Sequence, residues 1–320
     1  MHRVMPFSFN NLPITTLVGA DSTTFRRVCE GRRVDNIAKL RATVLCQRLL
    51  NPLYRLNDRI YRSTPMPDIV SPIFIIGHWR SGTTFAHNLL SEDPQFGYCT
   101  TYQAVFPHLM FRGDRVMRHI AAVAMPKSRP TDNLALSICQ PQEEELAIAN
   151  ITHAAHYHFW LFPQFMEYYR ERFLLFNSTT AEEQELFSRA MVQVMQSALY
   201  CQGKSRFLSK NPPNTARIPM LLKMFPDAKF IYIYRNKGDV LRSTKAFFRQ
   251  MIDSIALQKI STQELDYQIA ATYNALIAKY EQDRDLIADS NLVEVSFDRL
   301  TQQPQSSVDA IYKRLGLKMR

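Results

Sequence analysis

The residues best suited to chemistry lie at Gly77-His78-Trp79-Arg80-Ser81-Gly82-Thr83-Thr84. They follow the apolar run Pro72-Ile73-Phe74-Ile75-Ile76 and precede a stretch from Phe85 to Ser91 that reads as a helix. Glycines at 77 and 82 let the backbone turn tightly, so that its N–H groups can face an anion. A helix N-terminus behind them adds partial positive charge, and Ser81, Thr83 and Thr84 add hydroxyl donors. The spacing is the Gly-x4-Gly of a phosphate-binding P-loop, with one departure. Thr83 stands where a nucleoside triphosphatase carries the lysine that holds its β- and γ-phosphates. Arg80 is the loop's cation, and such a loop suits an anion without a triphosphate chain. The plainer alternative is a Gly- and Thr-rich turn that caps a helix.

Tyr234-Arg235-Asn236-Lys237-Gly238-Asp239-Val240-Leu241-Arg242-Ser243 follows a second β-rich run, residues 228–234. Open α/β sheets bind ligands at the carboxyl ends of their strands. Arg235 sits at such an end, with Ser243 eight residues on in a helical segment, and a planar guanidinium with a nearby hydroxyl makes a phosphate clamp. The alternative is a strand-end arginine beside a solvated helix face. Lys210, in Ser209-Lys210-Asn211-Pro212, closes a short strand over 206–209; taken alone, a loop lysine is ordinarily solvated.

The stretch PIFIIGHWRSGTTFAHNLL resembles the 5′-phosphosulfate loop of the sulfotransferase family. Its RSGTT form is similar to that of tyrosylprotein sulfotransferases and of a bacterial branch acting on lipids and small molecules. The likeness covers about residues 70 to 318. It implies 3′-phosphoadenosine 5′-phosphosulfate (PAPS) as donor, leaving as 3′-phosphoadenosine 5′-phosphate (PAP), with no metal. It also implies roles. Arg80, Ser81, Gly82, Thr83 and Thr84 cradle the phosphosulfate, Arg80 and Lys210 carry charge at the transferring group, and Arg235 with Ser243 takes the 3′-phosphate. The segment 292–304, LVEVSFDRLTQQP, resembles a late structural element of the family. Relatives continue with basic residues, so truncation at the C-terminus is expected.

A base must still take the proton of the acceptor hydroxyl. Tyrosylprotein relatives carry a Glu shortly after the first helix; residues 98–103 here, YCTTYQ, hold no acid, which disfavours a protein-tyrosine acceptor. Pro141-Gln142-Glu143-Glu144-Glu145-Leu146 enters an apolar helix, and the bacterial branch has a similar Pro-Gln-Glu-x-Glu element. Crowding and burial raise a carboxylate towards a useful base, while acids in a first helical turn equally well complement the helix dipole. Glu144 and Glu145 are the candidates, with His108 a further one. His153, His156 and His158 stand among aromatic residues, where packing or acceptor-pocket lining outweighs metal binding.

Positioning these groups needs strands alternating with helices. Apolar runs at 72–77, 228–234 and 292–297, with helices between, read as an α/β three-layer sandwich around a central parallel sheet, P-loop NTPase-like. Residues 1–70 read as a helical N-terminal extension, helical over 23–62 and broken by Ser63-Thr64-Pro65-Met66-Pro67, and 71–320 as the sulfotransferase domain. Within it lies a helical insert, about 104–200. Thr180-Ala181-Glu182-Glu183 is spaced as a capping box for a helix to about Cys201; others span 239–251 and 266–288. The insert's aromatic run at Phe159-Trp160-Leu161-Phe162 reads as core by default and as an apolar acceptor groove on the sharper reading.

With 320 residues, 46% hydrophobic and 21% charged, the chain can bury a large core. The net charge of +10 suits an anionic partner. Its scattered basic residues disfavour nucleic acid and stay compatible with peripheral contact with a membrane, while the resemblance and the aromatic insert imply a small-molecule or lipid-like hydroxyl acceptor. Five cysteines without CxxC spacing imply reduced, mostly buried thiols and a cytoplasmic setting. No run approaches the length of a membrane span. The rival readings are a small-molecule kinase, disfavoured by Thr83, and a non-catalytic nucleotide-fold binding module.

Overall fold

Alternation along the strands decides the layers. In β1 (Ile73–Ile76), Phe74 and Ile76 join one core with Phe230 and Tyr232 of β4 (Lys229–Tyr234). Ile73 and Ile75 join another with Ile231 and Ile233. Successive strand side chains point to opposite faces, so two cores mean helices on both sides of one sheet. The computed structural model describes residues 13–111, 118–119 and 137–318. Its sheet has five strands in the order β2-β3-β1-β4-β5, every pair parallel, with β2 at Phe96–Gly97, β3 at Arg206–Lys210 and β5 at Leu292–Ser296.

The described helices of six or more residues are α1 (Ser22–Cys29), α2 (Ile37–Ser63), α3 (Thr83–Ser91), α4 (Glu144–Ile151), α5 (Ala181–Gln202), α6 (Ile218–Met224), α7 (Lys237–Ile255), α8 (Thr262–Asp283), α9 (Phe297–Gln302) and α10 (Pro304–Leu315). Ala86 and Leu90 of α3, with Val308, Ile311 and Leu315 of α10, fill the smaller core. Phe187 and Met191 of α5, Phe248 of α7 and Leu265 of α8 fill the larger. Leu17, Phe25 and Val28 from the N-terminal segment belong to that larger core as well.

The capping box at Thr180 forms as the spacing predicts: its hydroxyl accepts from Glu183 N at 3.2 Å, and the Glu183 carboxylate accepts from Thr180 N at 3.0 Å. Three details differ from the sequence reading. The helix expected over 23–62 breaks in two, because Gly31 turns at φ +67° and Asn36 caps a new start by accepting from Lys39 N at 3.0 Å. The helix expected over 266–288 begins at Thr262 and stops at Asp283, where a tighter turn redirects the chain and buries Ile287. Among the five free cysteines only Cys99 is buried, and Cys139 and Cys201 are exposed. No described helix is long and apolar enough to cross a membrane.

Candidate functional site

The register of the sheet brings the chemistry to one edge. Ile75 pairs with Lys210, and Ile76 with Tyr232, so the loop after β1 leaves the sheet beside Lys210 on one side and Arg235 on the other. Tyr234 pairs with Ser296, which sets Arg235 next to Phe297. All four are carboxyl ends of parallel strands.

The loop is held open by steric necessity. Gly77 has φ +137°, and a Cβ there would lie 2.4 Å from the Ile233 carbonyl oxygen. Gly82 has φ +104°, and its Cβ would lie 2.3 Å from the Phe297 ring. Gly77 N donates to Thr215 Oγ1 at 2.8 Å, which ties the loop's start to the segment after β3. No side chain caps α3, so its first N–H groups stay open to a ligand. The Ser81 hydroxyl is buried without a hydrogen-bond partner, a cost that an anion in the loop removes. Burial pulls His78 down to about 4, with the Trp79 carbonyl opposing, so it is neutral and Arg80 remains the loop's charge.

Arg80, itself at φ +67°, donates from Nε to Ser243 Oγ at 2.9 Å. Ser243 therefore meets Arg80 directly. The Arg235 guanidinium instead lies over the Phe297 ring, 4.5 Å from its centre. The Phe297 ring thus touches both the loop after β1 and Arg235. Read from sequence, 292–304 looks structural, and no residue-type signal there announces this role.

The three consecutive glutamates separate. Glu143, which precedes α4, receives Lys210 Nζ at 2.5 Å on one oxygen and the Tyr157 hydroxyl at 2.5 Å on the other. Trp79 Nε1, from the loop, donates to the Tyr157 hydroxyl at 2.9 Å. A relay of Trp79, Tyr157, Glu143 and Lys210 therefore joins the loop to the end of β3, and Glu143 keeps 17% of its side-chain surface. Sequence reasoning passed over Glu143 for its neighbours; the tertiary ion pair with Lys210, invisible in one dimension, singles it out.

The other candidate bases meet different surroundings. Glu145 is fully buried and grips Arg217 with both oxygens, at 2.6 and 2.9 Å, while Asn211 adds a third bond. Burial alone would raise its pKa, but the Arg217 charge and hydrogen bonds outweigh it and hold the carboxyl low. The two form a fully buried ion pair. Glu144 is equally buried and turned away, accepting from Ser209 Oγ and from Asn214 Nδ2 at 3.2 Å. Burial pushes it up to about 7 against the Ser209 bond. His108 sits under α2, its Nδ1 2.9 Å from Asp58, in a pocket with Tyr54 and apart from the loop. His156 and His158 are buried and depressed by burial to about 3 and 4, so both are neutral packing residues. No three metal-ligating side chains converge among the described residues. Phe159, Trp160, Leu161 and Phe162 are buried in the larger core.

A parallel sheet with an uncapped glycine-rich turn after β1 and cations at the neighbouring strand ends defines a phosphate-binding α/β protein of the P-loop-like class. More narrowly, the chain belongs to the sulfotransferase family, whose profile matches residues 72–320. It is similar to the omega-hydroxy-beta-dihydromenaquinone-9 sulfotransferases Stf3 of Mycobacterium bovis and Mycobacterium tuberculosis, each 31% identical over 246 residues, 77% of this chain. The match spans 63% of the length of those relatives. The crystal structure of sulfotransferase STF1 from Mycobacterium tuberculosis H37Rv superposes with a TM-score of 0.64 at 15% identity, over 92% of this chain and 81% of that one. That of STF9 from Mycobacterium avium gives 0.64 at 16%, over 94% and 85%. These two support the fold.

Proposed function

We propose that the protein transfers a sulfuryl group from PAPS to the hydroxyl of a lipid-like small molecule and releases PAP. The observation that carries this reading is the 77–84 loop. It combines an uncapped helix start, a buried partnerless Ser81 hydroxyl and Arg80, with Thr83 in the place of a triphosphate-binding lysine. Membership of the family supports the donor. The quinone-derived substrate in the name of the Stf3 relatives supports a lipid-like acceptor.

In this reading the loop amides, Ser81 and Arg80 hold the phosphosulfate, and Arg235 with Ser243 holds the 3′-phosphate. Lys210 balances the charge that grows on the leaving phosphate oxygen. The acceptor oxygen forms its bond to sulfur as the sulfur–oxygen bond to phosphate breaks, and the acceptor proton passes to Glu143. Tyr157, backed by Trp79, orients that carboxylate. A phosphosulfate drawing Lys210 away from Glu143 leaves the carboxylate free to accept the proton, which couples donor arrival to base activation.

Calorimetric titration with PAP, with ATP as control, together with turnover of PAPS on long-chain alcohols and on sugars, tests the reading. PAP should bind and ATP should not, and Arg235→Ala should weaken PAP by about tenfold or more, roughly 1.4 kcal/mol. Glu143→Gln should keep PAP affinity and lower kcat by about 10²–10⁴, the range for a lost general base. Equal binding of ATP and PAP, or full turnover in Glu143→Gln, would overturn it.

A further inference from the structure

Helix α2 buries polar residues most deeply and leaves three leucines outside. Its buried positions carry Lys39, Thr43, Gln47, Tyr54 and Asn57. Their polar atoms are matched within the protein. Lys39 Nζ donates to the Ser254 carbonyl, and Thr43 Oγ1 accepts from Thr15 N at 2.9 Å. Gln47 Nε2 donates to the Leu17 carbonyl at 2.7 Å, and the Tyr54 hydroxyl to the Val18 carbonyl at 3.0 Å. The outward face carries Leu45, Leu49 and Leu56, exposed by 60%, 72% and 41%. Between them stand the exposed Arg41, Arg48, Arg55, Arg59 and Arg62. Steps of three and four residues put these positions on one face. The helix holds a single carboxylate, Asp58, and that one is turned to His108.

A soluble helix buries its leucines and shows its polar residues. Here Leu40, Val44, Leu50 and Leu53 pack partly inward beside the satisfied polar residues, while Leu45, Leu49 and Leu56 face out among arginines, so the outward face is matched to surroundings both apolar and anionic. A second copy would set arginines against arginines. A nucleic acid would leave the leucines without an apolar partner. An anionic bilayer satisfies both groups, because leucines enter the acyl boundary while arginine stems lie along it and their heads reach lipid phosphates. We propose that the outward face of α2 docks the protein on anionic lipid bilayers. The inference rests on this helix alone and stands apart from the transfer reaction.

Co-sedimentation of the full chain with phosphatidylcholine vesicles, with and without phosphatidylglycerol, tests it. Binding is expected only with phosphatidylglycerol, weakening as salt rises. Arg48→Ala/Arg55→Ala should reduce partitioning roughly 25-fold, about fivefold per arginine. Leu45→Ser/Leu49→Ser should reduce it by at least about tenfold even at low salt. Unchanged thermal melting in both variants confirms that they fold. Indifference to phosphatidylglycerol, or full binding by either variant, would refute the proposal. So would a leucine variant that binds vesicles normally but loses a dimer on sedimentation, or an arginine variant whose only loss is affinity for duplex DNA.

Discussion

Glu143, Glu144 and Glu145 share a chemistry and meet three environments. Glu145 is neutralised by Arg217 in the core, Glu143 faces Lys210 at the surface of the site, and Glu144 lies between with one oxygen lacking a hydrogen-bond partner. Burial lifts Glu144 from 4.5 to about 7, the Ser209 hydroxyl pulling the other way and Glu145 adding to the rise. The folded state therefore holds this proton more tightly than the unfolded chain. Its contribution is fully present below pH 4.5 and is lost as pH rises through about 7. Glu144→Gln keeps the Ser209 bond and removes the titration. The stability of wild type relative to this variant should fall by roughly 3 kcal/mol between pH 4.5 and 7.5, read by urea unfolding. Parallel pH profiles would contradict the assignment.

At the scale of elements, the loop after β1 depends on the start of α9. The Phe297 ring lies against Gly82 and beneath the Arg235 guanidinium, so one side chain sets the spacing between the loop after β1 and the end of β4. Gly82→Ala must place a methyl where the ring sits and hold an L-residue at φ +104°. It should cost at least about 1 kcal/mol of stability and weaken PAP roughly tenfold or more, since the ring's shift moves Arg235. Calorimetry on the folded variant checks this. Undiminished PAP affinity would mean that the ring is packing alone.

At the scale of the whole molecule, the N-terminal segment is part of the main core. Leu17, Phe25 and Val28 pack with residues of the sheet and of α5, α7 and α8. We expect residues 13–70 and the sheet to unfold together. Far-ultraviolet circular dichroism and the fluorescence of Trp79 and Trp160, both buried in that core, should give coincident urea transitions. A chain starting at residue 71 should expose the core and aggregate. Two resolved transitions, or a soluble and folded truncation, would show the segment to be separable.

The sequence alone determined the parallel α/β sheet, the turn after β1 and the family. Continuous apolar runs, glycine spacing and capping residues are local signals, and local physics reads them. The tertiary structure decided which glutamate meets Lys210, that Ser243 reaches Arg80, that Phe297 bridges the loop after β1 and Arg235, and that α2 leaves Leu45, Leu49 and Leu56 outside. Each of these depends on how distant elements pack together. Such long-range contacts have no periodicity in the chain to betray them, because the partners lie 67 residues apart for Glu143 and Lys210 and 163 for Arg80 and Ser243.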